Sequence, residues 1–575
     1  MPPPDFRVVV GIDFGTYFSA FAFTYRNSSY GIESQGDWPS KSVREPDIRT
    51  PTVLEYDNQL NVISWGHYAE RRPIGRQIRN AQYQGFIVRL FKSYLGNMAQ
   101  DEKPRLPKGL DYKRVITDYL KELNKVIKKA LQHIQHRWSC LDRSQIFKIM
   151  TIPAEYDEKA RYIMRECAFK AGIIDTLHSE SLQFITEPEA TAIYCFRSSE
   201  KHNLTPGSTF LVVDYGVDTV DLVTWTVLPN NKLSITERTN DFCGSTYIDR
   251  EFMKYIASIV GKLAMRTFEE NHVTFWLIQS FRDDAEYMLK HNDGYTKSID
   301  ICELCSPLKK YVQGDERKRM EAADWEIELD YETVKSIFDP VVERVLYLMR
   351  IQLEKSRATS TIFLVGELSK YLLRRIKSEF SSKVSDIAVP VGPLVAVSRG
   401  AVYYGVCKKK LLRQDILNLD DTAGQSIVEP SLGVNATTIR TLKHTYGIEI
   451  RSEWKPGDPP QRRTADGHIY VFKALAQRGT IVSDDCEFKY ELMPTSFPHQ
   501  TVMKIELYIT CDYTAKYCDE PGVKLFAQLS VELPDAKVKL DRTVTVSLIF
   551  RKKETRVQFR MAGKTYGETS LARDL

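Results

Sequence analysis

Two stretches of the chain share one hydrophobic pattern. Val8-Val9-Val10-Gly11-Ile12-Asp13-Phe14-Gly15-Thr16 is a continuous apolar run of strand length that ends in Asp-aromatic-Gly. About 200 residues later Phe210-Leu211-Val212-Val213-Asp214-Tyr215-Gly216-Val217-Asp218-Thr219 repeats it. Each run leads into a second apolar stretch, Ser19 to Tyr25 or Val220 to Val227, so the pattern predicts strand, tight turn, strand, twice. Between the copies, Ile146 to Ile152 reads as a strand ended by Pro153, Asp157 to Ala171 as a helix with Gly172 at its C-terminal cap, and Leu182 to Ala192 as a short strand and a proline-initiated helix.

After the second copy the periodicity changes to that of helices. Cys243-Gly244-Ser245-Thr246 precedes an amphipathic run from Ile248 to Ala264, and Pro340 sits where a helix beginning near Phe338 would start. A third strand-turn-helix follows at Thr361 to Leu372, and Val397 to Gly405 closes this part of the chain. Such alternation predicts an α/β fold. From about Arg440 the texture becomes that of β structure. Tyr446 to Arg451, Ile469 to Lys473, Glu487 to Leu492, Thr501 to Cys511, Val523 to Leu533, Arg542 to Phe550 and Thr555 to Met561 read as strands, separated by turn signals such as Lys455-Pro456-Gly457-Asp458. Alternation in the fifth puts Leu525, Ala527, Leu529 and Val531 on one face, and a β-sandwich is the expected arrangement.

Composition changes this picture little. The 575 residues exceed what one core accommodates, and 43% hydrophobic with 27% charged residues is ordinary for a globular protein. The net charge of +5 selects no partner. The basic runs Lys408 to Lys410 and Arg551 to Lys553 read as solvated faces, so no nucleic-acid role is expected. No apolar stretch approaches membrane-span length, and Met1 to Arg7 lacks a secretory pattern, which makes the cytoplasm the expected location. Ten scattered cysteines do not form a disulfide framework. Cys302 and Cys305 make a lone CxxC with His272 and His291 upstream, and without a second pair a structural zinc is not predicted.

The repeated hairpin carries the candidate chemistry. A buried strand ending in aspartate and glycine sets a carboxylate and free backbone N–H groups at one sheet edge, an arrangement that can hold a phosphate and its metal. Two copies predict two similar lobes facing each other across a cleft.

In these residues the chain resembles the seventy-kilodalton heat-shock family, and more closely its atypical branch that lacks a helical lid. The resemblance spans roughly Val8 to Gly405. Gly11 to Thr16 is similar to the family's first phosphate loop, Asp214 to Asp221 to the second, Ile185 to Ala192 with Glu187-Pro188 to the first connecting segment, Val397 to Gly405 to the last, and Leu364-Val365-Gly366 to the start of the adenosine loop. The resemblance implies a two-lobed actin-like ATPase core of duplicated ribonuclease-H-like lobes, followed by a C-terminal all-β domain. It implies residues 1–206 and 207–405 as lobes, 406–439 as linker and 440–575 as the β domain. It also implies ATP or ADP with magnesium as cofactor: Asp13 and Asp214 for the hydrated metal, and Glu187 to orient water or metal ligands. Lys92 would stabilise phosphate charge during in-line attack by water, and Lys92, Glu187 and Asp214 would form the catalytic set. Gly15, Thr16, Tyr17, Gly216, Asp218, Thr219, Gly244, Ser245, Thr246, Gly366 and Glu367 would line the nucleotide. A polypeptide client or protein partner would bind the β domain. Co-chaperones that read an acidic tail are not expected, because the sequence ends Leu571-Ala572-Arg573-Asp574-Leu575.

Several of these positions depart from the family. Thr16 is followed by the bulky Tyr17, and Gly216-Val217-Asp218 stands where three glycines are expected. A carboxylate about 4 Å from a phosphate oxygen opposes it by roughly 4 kcal/mol per unit charge at an effective dielectric near 20. Gly366-Glu367-Leu368-Ser369 is shorter than the family's adenosine loop, and Phe281-Arg282-Asp283-Asp284-Ala285-Glu286 supplies acid where a basic pair is usual. The expected function is therefore a heat-shock-like chaperone with an ATP-binding core, nucleotide-controlled lobe closure and weak or absent hydrolysis. The alternatives are a non-catalytic pseudo-ATPase scaffold and, on the same core, a small-molecule kinase.

Overall fold

The computed structural model describes residues 6–25, 31–39, 48–70, 85–96, 103–135, 143–198, 204–271, 274–291, 294–356, 359–409, 437–442, 444–478, 480–483, 486–492, 502–510, 515–520, 522–532, 543–550, 554–561 and 564–572. The chain forms two compact units, one of residues 1–236 and 243–434, the other of residues 237–242 and 435–575. It is a mixed α/β protein with β structure at its C-terminal end.

Both predicted hairpins form in the first unit. Val8–Phe14 pairs antiparallel with Phe18–Tyr25 and parallel with Ile146–Ile152, which pairs parallel with Leu182–Thr186. Thr209–Tyr215 pairs antiparallel with Val220–Leu228 and parallel with Thr359–Gly366, which pairs parallel with Asp386–Ala388. From its hairpin outward, each sheet thus has the same strand order and directions. The apolar runs are buried almost throughout, as strands covered on both faces require.

Helices Glu187–Arg197 and Ala396–Lys409 share one apolar cluster with both sheets. Val9, Phe147 and Ile149 come from the first sheet, Phe210, Val212 and Trp225 from the second, and Ala190, Ile193, Ala401 and Val402 from the helices. Close approach requires glycine at the crossing. A Cβ on Gly400 would lie 1.8 Å from the Ala190 carbonyl oxygen, and one on Gly11 2.2 Å from that of Ser398. The closing helix, whose sequence position groups it with residues 207–405, therefore packs on the first sheet as well.

Local signals placed most elements. Asp157 caps helix Glu158–Lys170 by accepting from the Ala160 N–H, and Gly172 follows at φ 67°. Thr186 and Glu189 form a capping box at the start of the Glu187 helix. Two expectations need correction. The amphipathic run from Ile248 breaks at Gly261 (φ 94°), which separates Ser245–Val260 from Lys262–Asn271. Pro340 does not start a helix but lies inside Tyr331–Lys355, capped by Asp330. An interior proline costs roughly 3 kcal/mol. Burial of Val334, Ile337, Phe338, Val341, Val342 and Val345 outweighs it.

The second unit holds two antiparallel four-stranded sheets. One runs His468–Ala476, Thr445–Glu453, Val502–Thr510, Val523–Glu532; the other Cys486–Leu492, Val544–Phe550, Glu554–Met561, Lys564–Ala572. Tyr446, Ile448 and Leu507 of the first share a core with Val546, Leu548, Phe550 and Phe559 of the second, as in a sandwich. Leu525 departs from the alternation and is 54% exposed, whereas Phe526 meets Tyr446 edge-on at 5.7 Å. A bulge explains this: Leu507 pairs with Ala527 and Tyr508 with Leu525, leaving Phe526 as the extra residue. The sequence reading also missed Lys564–Ala572 and the short strands Thr437–Thr441 and Ile481–Ser483. Of the expected linker 406–439, residues 406–409 end a helix and 437–439 begin a strand, while 410–436 lie outside the described residues, as do His272, Lys410 and 551–553. No helix among the described residues is long and apolar enough to cross a membrane.

Candidate functional site

The two hairpin turns and their neighbouring loops bring three groups of side chains together. In the first, Asp13 near the end of its strand accepts a hydrogen bond from Thr151 Oγ1 at 3.0 Å. Burial, and after it the charge of Glu187, push Asp13 up to about 6, while Lys92, Thr151 and Arg49 oppose the rise. Burial pushes Asp214 up to about 7, with the charges of Asp221, Glu187 and Asp13 adding to it. Asp221 faces Asp214 directly across the antiparallel hairpin.

Lys92 is almost fully buried, and its ammonium donates to Glu187 Oε1 at 2.9 Å. It lies 5.6 Å from the ring centre of Phe14. Lys92 sits on the short 3-10 turn Phe91–Leu95, entered through Leu90 at φ 57°. Asp13, Lys92, Glu187 and Asp214 thus converge from a strand, a turn, a helix start and a second strand.

The second group joins the two hairpin turns. Gly15 is required by the first turn, where a Cβ would lie 2.2 Å from the Phe18 carbonyl oxygen. Two residues on, Tyr17 lies beside Asp218; burial first, then the Asp218 charge, hold its phenol well above the usual tyrosine range. Asp218 Oδ1 also accepts from Thr246 Oγ1 at 3.3 Å and lies 3.7 Å from Arg250 Nη2. The N–H groups of Gly244, Ser245 and Thr246 donate to the carbonyls of Asp218, Gly216 and Val217 at 3.0, 3.1 and 2.8 Å. Gly216 donates to the Thr219 carbonyl at 2.9 Å, closing the second turn.

The third group surrounds Glu367. Gly366 at φ 91° leaves no room for a side chain, because a Cβ would lie 2.2 Å from the Tyr215 carbonyl oxygen. Glu367 Oε1 forms an ion pair with Arg49 Nη1 at 2.7 Å, without an aligned hydrogen bond, and Arg49 lies over the Phe18 ring at 4.4 Å. Arg282 makes a two-pronged contact with Asp249, donating at 2.8 and 2.5 Å. The described part of the acidic stretch offers Glu286 not to a ligand but to the backbone N–H of Lys370, at 3.1 Å.

Comparison with known proteins gives this arrangement a setting. No protein-family model matches the chain. The mouse and human proteins called Heat shock 70 kDa protein 12A are 22% and 21% identical to it, each over 92% of this chain and 85% of their own. Human Heat shock 70 kDa protein 12B is 20% identical over 92% of this chain and 84% of its own. The chain is a divergent relative of the atypical seventy-kilodalton heat-shock proteins. Coverage of 92% carries the likeness into the C-terminal β structure, beyond the Val8 to Gly405 stretch that holds the motifs.

The residues present suit a divalent ion better than they suit a triphosphate. Burial, and after it neighbouring carboxylates, raise the proton affinity of Asp13 and Asp214, and the Lys92 ammonium is engaged by Glu187. At the two turns, Tyr17 and Asp218 stand beside each other and three loop N–H groups are already taken. Thr16 and Thr219 sit in the two turns. Sequence reasoning missed Thr151, Arg49, Arg250 and Asp249, whose partners lie far along the chain. Asp221 was findable, since the hairpin register that defines the motif sets it opposite Asp214.

Proposed function

We propose that this is a heat-shock-like chaperone whose first unit is an actin-like core of two ribonuclease-H-like lobes. It takes ATP or ADP with magnesium in the cleft, hydrolyses it weakly or not at all, and couples occupancy to lobe closure. The observation that carries this reading is the convergence of Asp13, Lys92, Glu187 and Asp214 from four separate elements. The matching strand order of the two sheets supports the duplicated lobes.

Asp13, Asp214 and Asp221 would hold a hydrated magnesium, an ion that keeps several of its waters. Bound there, the ion neutralises phosphate charge. Among the described residues no three His, Cys, Asp or Glu side chains are gathered as direct metal ligands. Lys92 supplies the positive charge on the phosphate side, and Glu187 orients it. Weak hydrolysis follows from Tyr17 and Asp218, which stand where a phosphate loop needs open backbone. The β domain would take an extended polypeptide along a sheet edge. The cytoplasm is the proposed compartment.

A second reading, the non-catalytic scaffold, is favoured by the Arg49–Glu367 and Tyr17–Asp218 contacts, which tie the loops together without a nucleotide. Calorimetry with ATP and ADP, with and without magnesium, separates the two. Magnesium-dependent heat supports the nucleotide reading. No heat and no thermal shift at millimolar nucleotide leaves the scaffold.

A further inference from the structure

The CxxC motif is not used by the nucleotide cleft. Among the described cysteines Cys302 is the exposed one, whereas Cys305 is 4% exposed. Both lie on the short helical turn Ile301–Cys305, three positions apart. Residues so spaced on a helical turn have Cβ atoms about 5 to 6 Å apart, and a disulfide holds them at about 3.5 to 4.5 Å, so closure needs a shift of the turn of about 1 to 2 Å. The Lys309 ammonium donates to Cys302 Sγ at 3.4 Å. Chain geometry leaves the helix at Cys305 (φ −150°, ψ 49°), so turning its side chain toward Cys302 interrupts no helical ladder. A metal role has no support, because among the described residues no third ligand joins the pair.

We propose that Cys302 and Cys305 form a reversible disulfide, with Cys302 as the attacking thiol and Cys305 as the resolving one toward a low-molecular-weight disulfide. The Cys302 thiolate attacks one sulfur of the small disulfide, a mixed disulfide forms, and one small thiol leaves with a proton. Cys305 then loses its proton and attacks the Cys302 sulfur, closing the ring and releasing the second small thiol. Two protein thiols are oxidised and one small disulfide is reduced to two thiols, so atoms and electrons balance. Cys305 needs no access to solvent, because its target is delivered by Cys302. Burial first, then the charges of Asp300 and Cys302, push the Cys305 thiol up to about 12. Ring closure is therefore the slow step at neutral pH, and it quickens with pH.

The test is to incubate the full chain with glutathione disulfide and follow intact mass and peptide maps. The wild type passes through a glutathione adduct at Cys302 to a ring that retains no glutathione. Closure speeds about tenfold per unit between about pH 7 and 9, as the attacking thiolate fraction grows. Cys305→Ser stops at the adduct, and Cys302→Ser reacts at this segment at least about tenfold more slowly. An adduct on wild-type Cys302 that persists to pH 9, or a Cys302→Ser chain that reacts as fast as wild type, overturns the proposal. The wild-type pH series stands even if burial makes the Cys305 variant fold poorly.

Discussion

Arg49 Nη1 stands 2.7 Å from Glu367 Oε1, joining the segment before strand Thr50–Pro51 to the loop after strand Thr359–Gly366. Those positions belong to different sheets, and both side chains are mostly buried, at 13% and 25% exposure. Two charged side chains in contact in such surroundings couple by on the order of 0.5 to 3 kcal/mol. In a double-mutant cycle of Arg49→Ala and Glu367→Ala, followed by denaturant unfolding, the coupling energy should be about 1 to 2 kcal/mol. Strictly additive losses would show that the two side chains do not act on each other.

Asp218 faces the protein's own groups rather than open solvent. Thr246 hydrogen-bonds to it, Arg250 lies 3.7 Å away and the Tyr17 phenol stands beside it, so part of its charge is already compensated. Half of a repulsion near 4 kcal/mol would be worth about thirtyfold in affinity, and this partial compensation lowers the expectation to about three- to tenfold. Asp218→Gly should strengthen binding of magnesium-ADP by that factor in calorimetry. Unchanged or weakened binding would contradict the electrostatic argument.

The paired carboxylates set a pH dependence whose sign follows from linkage. Asp13 and Asp214 rise from 3.8 to about 6 and about 7, so between about pH 4 and 7 the folded chain holds more protons than the unfolded one. Their contribution to stability is fully present below about pH 4 and lost as pH rises through 6 and 7. A divalent cation competes with those protons, so its affinity rises over the same window. The thermal shift produced by magnesium should be larger at pH 8 than at pH 5.5. Asp214→Asn should flatten the upper part of the metal-free profile. A magnesium shift independent of pH would separate these carboxylates from the metal.

The legible parts of this fold were those written locally. Both hairpins, the helix ended by Gly172 and the proline-initiated helix after the Leu182 strand come from short-range spacing, and the matching sheets follow from two copies of one motif. What the sequence concealed was tertiary. Pro340 looked like a helix start because its cost is local while the compensating burial is spread over a helix face. Phe526 displaced Leu525 from the core because the bulge depends on the register of the partner strand. At the site, Asp13, Glu187 and Asp214 were recognisable from motifs. The pairing of Arg49 with Glu367 spans more than half the chain and left no pattern in either segment.

The helix crossing at Gly400 offers a sharper test of the core than any single apolar truncation. A methyl group there would sit 1.8 Å from the Ala190 carbonyl oxygen, which is backbone and is held within helix Glu187–Arg197. On Gly405 the nearest atoms are the side-chain carbons Val9 Cγ1 and Ile149 Cγ1, at 2.6 and 2.9 Å, which can rotate away. Overpacking against a yielding side chain costs about 1 to 3 kcal/mol, and overpacking against fixed backbone costs more. Gly400→Ala should therefore destabilise the chain by about 3 to 5 kcal/mol and Gly405→Ala by about 1 to 2, measured by denaturant unfolding. Because Gly400 sets the Ala396–Lys409 helix against the one that begins at Glu187, its replacement should also move Glu187 away from Lys92 and weaken nucleotide binding. Gly405→Ala should leave that affinity within about twofold. Equal effects of the two substitutions would mean that the helices separate without strain, and that their crossing does not hold the site in register.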